Sequence, residues 1–330
     1  MKTWHEELQK HIEYWAERLT PSKLEWWPRC VFHSTDLSNA ISIFATGNLY
    51  SRQMATELGL MVNDNASQQV IRNTPNDHKS YARMYFRPKT PTHYLSEGFR
   101  PKQELVKDEY HAHCPMPIFF LFNAYEVLAA VSTEFSDGNM ARHRVVFGKT
   151  QKVFNSIPFE QVFHSGGYDK ESFLNQDITF HRQAEVLVPE HLPIVPSLKR
   201  VYCRSGAERQ TLLYNLNPEV RANWESKIKI CRFPQLFERK ATYVESVKII
   251  GESLGFVFNP DSKCPGPFEA RLEYREIGTK RVRAWSGRWE DVFIDAHPID
   301  IRGAKRGVAK LLLDGNLAYQ GVVNFESLPT

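Results

Sequence analysis

Apolar positions near the start of the chain recur every three or four residues: Trp4, Leu8, Ile12, Trp15 and Leu19. That spacing draws one stripe along a helix. The stretch "TPSK", with Pro21, ends it. Such a stripe packs on the body of its own protein or on a partner. From residue 29 to about 240 the pattern mixes strands and helices. "CVFHST" is a short strand, and Thr35, Asp36 or Ser38 is placed to cap a helix through "NAISIFAT", with Gly47 at its C′ position. "ARMYFRP" is a strand stopped by Pro88, and "MPIFFLFN" is an apolar central strand. "HRVVFG" and "FHRQAEVLVP" are further strands, and a mobile loop is expected over 164–179. "LKRVYCR" leads into a helical "AERQTLLYNL" and then "SKIKICRF". The order is α+β, without regular βαβ alternation or internal repeats.

The last part, residues 241–330, has a different pattern: about seven short apolar-alternating segments separated by turn residues. Asp314-Gly315 sits between "LLL" and "LAYQ", a two-residue hairpin signal. These features predict a small β-sandwich. Three parts follow: a helix over 1–28, an α+β body over 29–240 and a β-sandwich-like domain over 241–330. The last is expected to fold by itself and to serve docking, so that its removal leaves catalysis intact.

Composition narrows the class. Among 330 residues, 42% are hydrophobic and 24% charged, as in globular proteins. No apolar run reaches 18 residues, so no membrane span is expected. The N-terminus is charged throughout and is not a signal peptide. The five cysteines are scattered without a CxxC pair, which fits a reducing cytoplasm and no structural zinc. Charge is uneven: residues 199–240 hold ten Lys or Arg against four Asp or Glu, whereas 241–330 hold twelve of each. A basic segment suits a polyanion, or is simply a solvated face.

Several motifs fail on inspection. "FGKT" at 147–150 lacks the earlier glycine of a phosphate loop, because that position is His143. "HAHC" at 111–114 has no second cluster with metal-ligand spacing. No metal site is expected.

What remains is an acid in an unusual place. In "RQAEVLVPE", Glu185 interrupts an apolar strand, and burying a carboxylate is unfavourable. Read as a strand, the segment puts Gln183 and Glu185 on one face and Ala184, Val186 and Val188 on the other. Earlier strands carry His33 and Tyr85. This His–Tyr–Glu order resembles the NAD-cleaving cleft of ADP-ribosyltransferases. The segments "FHSTDLSNAI", "YFRPKTPTHY" and "RQAEVLV", with the closing "LKRVYCR…LLYNL…KIKICRF", are similar to the DarT family of DNA ADP-ribosyltransferase toxins over residues 30–240. The N-terminal helix and the β-rich tail are departures from that family's compact members.

The resemblance implies an ADP-ribosyltransferase fold, mixed sheets around an NAD cleft, with NAD as co-substrate. It implies Glu185 as the catalytic carboxylate and Arg72, in "SQQVIRNTPND", as the arginine that holds the diphosphate and assists the incoming base. His33, Thr35, Tyr85 and Tyr94 are the implied NAD contacts. Gln183 and Arg182, with neighbouring His181, face the acceptor, and Lys227 and Lys229 are expected to bind a polyanion, both on one face of the "KIKIC" strand. Implied partners are single-stranded DNA, or RNA as the alternative, and an antitoxin protein, in a toxin–antitoxin or phage-defence setting. A nucleic-acid-binding module with an inactive cleft, and transfer to protein, are the other readings.

Overall fold

The computed structural model describes residues 1–61, 75–107, 112–167, 173–292 and 296–325. The chain divides into two compact units. The first holds Met1–Leu95, Phe119–Val201 and Phe233–Phe237, and the second holds Ser96–Ile118, Tyr202–Arg232 and Glu238–Thr330.

A mixed sheet organises the first unit. Its strands that lie wholly or mostly in this unit are β1 (Cys30–Asp36), β3 (Tyr81–Tyr85), β4 (Pro117–Asn123), β5 (Glu134–Ser136), β6 (Phe147–Gly148), β7 (Glu185–Pro189) and β9 (Leu198–Cys203), in the order β9-β4-β1-β3-β7-β5-β6. A separate small pair joins β2 (Asn48–Tyr50) to β8 (His191–Pro193). β4 is the continuous apolar run "PIFFLFN". All but its last residue are buried, as expected for a strand covered on both faces. Local chemistry sets the helix after β1: the Asp36 carboxylate accepts from the N–H of Ser38 at 3.1 Å, and Gly47 ends Leu37–Thr46 with φ of 69°.

The N-terminal stripe forms the helix His5–Leu19 and buries Leu8, Ile12 and Trp15. It packs within this unit. Trp4, just ahead of the helix, lies 5.5 Å from Phe154 between ring centroids, and Trp15 lies 5.4 Å from Phe163.

Two expected elements change form. "HRVVFG" pairs with β5 only through Phe147 and Gly148. Val146 is 50% exposed, so this edge segment has no apolar burial to extend it. The segment before β7 is the helix Phe173–His181, where a strand and a loop were expected. Phe180 buries its ring there, and β7 begins only at Glu185.

The second unit contains the seven late strands. Two antiparallel sheets, β11-β12-β15 and β14-β13-β16-β17, share one apolar core. Their ranges are β11 Val244–Ile250, β12 Ser253–Phe258, β13 Phe268–Glu276, β14 Val282–Trp289, β15 His297–Asp300, β16 Arg306–Leu313 and β17 Asn316–Asn324. β13 alternates almost strictly between buried and exposed positions. Asp314 and Gly315 both have positive φ, 48° and 83°, as the type I′ hairpin between β16 and β17 requires.

This core is not closed by residues 241–330 alone. Phe99 and Ala207 belong to it, and the helix Gly206–Asn215 packs beside β17. The expectation is a self-contained tail; in this packing, earlier segments contribute side chains to the core of the two sheets. Beside it, Arg204 forms a buried ion cluster, 3.4 Å from Glu97 and bonded twice over to Glu208.

Candidate active site

Pairing in the first unit sets Tyr85 beside Glu185, whereas the β1 residue opposite Tyr85 is Phe32, the neighbour of His33. β1, β3 and β7 are neighbours, all antiparallel, with Phe32 opposite Tyr85 and Tyr85 opposite Glu185. Residues directly opposite in a ladder share a face, so the hydroxyl of Tyr85 and the carboxyl of Glu185 belong to one face of the sheet. Glu185 is 1% exposed. Its Oε1 accepts from the main-chain N–H of Met140 at 3.1 Å, and its own N–H donates to the Ser136 hydroxyl at 3.0 Å. Its Oε2 has no hydrogen-bond partner among the described residues. Among the described residues, the ion-pairing cation is Arg83, whose guanidinium lies 3.6 Å away.

The electrostatics follow from this burial. Desolvation pushes the Glu185 carboxyl up, opposed by Arg83, by the Met140 N–H and by His78. Burial likewise pushes the Tyr85 phenol up, reinforced by Glu185. His33 is held down at about 4 by burial, opposed by its contact with the Arg83 carbonyl, and is therefore neutral at physiological pH. Its Nδ1 lies 2.9 Å from that carbonyl. In the neutral ring this nitrogen is then the donor, which leaves Nε2 as an acceptor.

The remaining expected residues lie outside this pair. Thr35 is buried at the end of β1. Tyr94, in the helix Pro91–Ser96, is 44% exposed. Gln183 lies in a turn ahead of β7, so strand alternation does not orient it. Its side-chain oxygen instead accepts from Asn139 at 2.8 Å and Thr92 at 3.3 Å. Arg182 reaches His164 at 2.6 Å and the Gly166 carbonyl at 2.7 Å, and His181 contacts the Asp137 carbonyl at 2.5 Å. Arg72 falls outside the described residues.

The two lysines belong to the second unit. There β10 spans only Ile228–Ile230. Lys227 sits in the turn before it, with its ammonium 5.8 Å from the Trp224 ring, and Lys229 is exposed. The expectation puts both lysines on one face opposite Ile228 and Ile230; the strand itself holds only Lys229, with Ile228 buried and Ile230 39% exposed. A three-residue strand is too short to impose the alternation on its flanks.

Sequence reading missed the groups that touch Glu185. Met140 acts through its main-chain N–H, which every residue but proline carries, so no sequence signal marks it. Arg83 stands two residues before Tyr85 on the same strand, and period-two alternation was a sufficient signal for it. Asn139 and Met140 reach the site because the loop after β5 passes close over Phe180. A Cβ on Gly138 would lie 2.3 Å from that ring. Among the described residues, no group of three His, Cys, Asp or Glu is arranged to hold a metal ion, and no helix is long and apolar enough to cross a membrane.

Comparison with known proteins gives the family. The family model for DarT, ssDNA thymidine ADP-ribosyltransferase, matches residues 32–237. No curated protein matches the chain. Solved structures of a DarT from Thermus sp. 2.9 are similar at 15% identity. Its complex with NAD+ gives a TM-score of 0.46 over 62% of this chain and 96% of that chain. Its complex with ADP-ribosylated ssDNA gives 0.49 over 64% and 96%, and its complex with carba-NAD+ gives 0.46 over 64% and 98%. With its motifs on adjoining strands and the family match spanning well over half of its length, the chain belongs to the DarT family of NAD-dependent, nucleic-acid-modifying ADP-ribosyltransferases.

Proposed function

We propose that this enzyme transfers ADP-ribose from NAD to thymidine in single-stranded DNA, with Glu185 as the group that drives cleavage. The observation that carries this reading is the Glu185 carboxyl: 1% exposed, in register with Tyr85, and with Oε2 free of hydrogen bonds among the described residues. Breaking the nicotinamide–ribose bond sends the electron pair out with nicotinamide and leaves an oxocarbenium-like ribose, as in glycoside cleavage. A preorganised carboxylate in a water-poor site stabilises that developing charge far better than water does. Its spare oxygen is available to a ribose hydroxyl. A nucleophilic atom of the base then bonds the ribose carbon and gives up its proton.

The other assignments belong to the same reading. His33 and Thr35 hold the adenosine ribose side of NAD, Tyr85 stacks near nicotinamide, and Tyr94 contacts the cofactor from its exposed position on the helix Pro91–Ser96. Arg72 serves the diphosphate and the incoming base. Gln183, Arg182 and His181 face the acceptor base, while Lys227 and Lys229 attract its phosphates. A base inside a duplex must first leave the stack, which costs a few kcal/mol, so unpaired strands are the better substrates. Modified template bases block replication, and we therefore read the protein as a cytoplasmic toxin, neutralised by an antitoxin, in a toxin–antitoxin or phage-defence setting.

The test is incubation with labelled NAD and, separately, thymidine-containing single strands, strands without thymidine, duplexes, RNA and protein. Label is expected on the first alone, and Glu185→Gln is expected to lower it by about 10²–10³-fold. Label on RNA in preference to DNA would redirect the acceptor assignment. Wild-type rates in folded Glu185→Gln would remove Glu185 from the mechanism.

A further inference from the structure

The Glu185 carboxyl closes a ring of four residues. Its Oε1 accepts from the N–H of Met140 at 3.1 Å. The Met140 carbonyl lies 3.0 Å from Nδ1 of His78. The His78 carbonyl accepts from one guanidinium nitrogen of Arg83 at 2.6 Å, and the other terminal nitrogen of Arg83 returns to Glu185 Oε2 at 3.6 Å. Three separate stretches of chain contribute to it: β7, the loop after β5, and the run from Asn76–Ser80 into β3.

The last distance is informative. At 3.6 Å the guanidinium attracts Oε2 without hydrogen-bonding it. A bidentate Arg–carboxylate pair would occupy both oxygens and turn the carboxylate away from a substrate. Here a main-chain N–H holds one oxygen, while the other has its charge countered and its lone pairs open among the described residues. Burial makes that countercharge consequential: the Glu185 side chain is 2% exposed and the Arg83 side chain 26%.

We propose that Arg83 is a positioning residue for the ADP-ribosyl transfer, braced through the His78 carbonyl, which keeps the Glu185 carboxylate charged and its Oε2 directed to the substrate. The inference rests on the reading of Glu185 given above. Among the described residues, the groups that face Glu185 are few. β3 contributes Arg83 and the Tyr85 phenol, and the Asn76–Ser80 segment contributes His78. The end of β5 and the loop after it contribute the Ser136 hydroxyl and the Met140 N–H. Arg83 alone among them is a permanent cation, and it is the largest influence opposing the upward push of burial on Glu185.

The experiment is the pH dependence of NAD consumption, resolved into kcat and KM, for the wild type, Arg83→Gln, Arg83→Lys and Glu185→Gln, with thermal unfolding of each. Arg83→Gln is expected to move the acid limb of kcat upward by about one pH unit or more. On that limb the rate falls about tenfold per unit moved, and it recovers at alkaline pH. Arg83→Lys, which retains the charge, is expected to restore the limb. Arg83→Met deletes the charge at similar length if the Gln variant does not fold. A wild-type profile in the charge-deleted variant, or a loss uniform across pH, overturns the proposal. Inactive Glu185→Gln beside an unaltered Arg83→Gln refutes this inference alone, whereas active Glu185→Gln refutes the reading of Glu185 beneath it.

Discussion

A buried charge in this protein is tolerated only where another part of the chain answers it, and two residues show two solutions. Glu185 is answered sparingly, by one N–H and a guanidinium beyond hydrogen-bond distance. Arg204 is answered completely. Its side chain has no exposure, it bonds Glu208 and the Pro115 carbonyl, and it lies 3.4 Å from Glu97 and 4.6 Å from the Tyr243 ring centroid. Glu97 in turn accepts from the N–H groups of Glu238 and Arg239 at 2.7 and 2.9 Å. Saturation of this kind leaves no valence for a ligand and marks a structural cluster. Arg204→Met should therefore strand two buried carboxylates and lower stability by about 3–5 kcal/mol, read as the shift in denaturant midpoint. Unchanged stability would mean that the cluster is solvated in solution.

At the scale of elements, the helix His5–Leu19 is joined to its unit by aromatic contacts with neighbouring helices rather than by its propensity alone. His11 packs edge-on to Phe154 and Phe159, with centroids 4.8 and 4.3 Å away. Burial there holds its imidazole down at about 4. The sign of the linkage is fixed by that direction. Between the ordinary histidine value, about 6.5, and about 4, the unfolded chain binds a proton that the folded chain refuses. Stability is full above this window and falls as pH drops through it. His11→Leu should flatten that slope by about 1.4 kcal/mol per pH unit, measured by denaturant titration at pH 4.5–6.5. A mutant slope equal to that of the wild type would show that His11 titrates freely.

The whole molecule is organised otherwise than its sequence segments suggest. The β-rich core includes Phe99 and Ala207. The Ser205 hydroxyl donates to the Val244 carbonyl at 2.6 Å, and the Gln320 N–H donates to the Thr211 hydroxyl at 3.0 Å. Truncation at residue 240 would uncover those apolar side chains and break these bonds, so the 1–240 fragment is expected to aggregate. Size-exclusion chromatography provides the check, and a monodisperse, cooperatively folding fragment would show that the tail is separable after all.

Much of this arrangement was legible one segment at a time. The Asp36 cap, the Gly47 stop, the Asp314-Gly315 turn and the alternation along β13 each depend on residues within a few positions of one another. Sequence carries such information because side-chain chemistry and backbone dihedrals decide it locally. The order His33, Tyr85, Glu185 was readable for the same reason: each sits in a recognisable strand. Tertiary structure alone decided what surrounds Glu185 and what completes the β-rich core. The N–H of Met140 has no residue-specific signature, and Arg83 becomes a countercharge only once β3 and β7 are in register. Phe99 and Ala207 read as ordinary apolar residues until the fold packs them into the core of the two sheets. These are contacts between distant stretches, selected by packing and desolvation, and no local pattern of hydrophobic and polar positions encodes them.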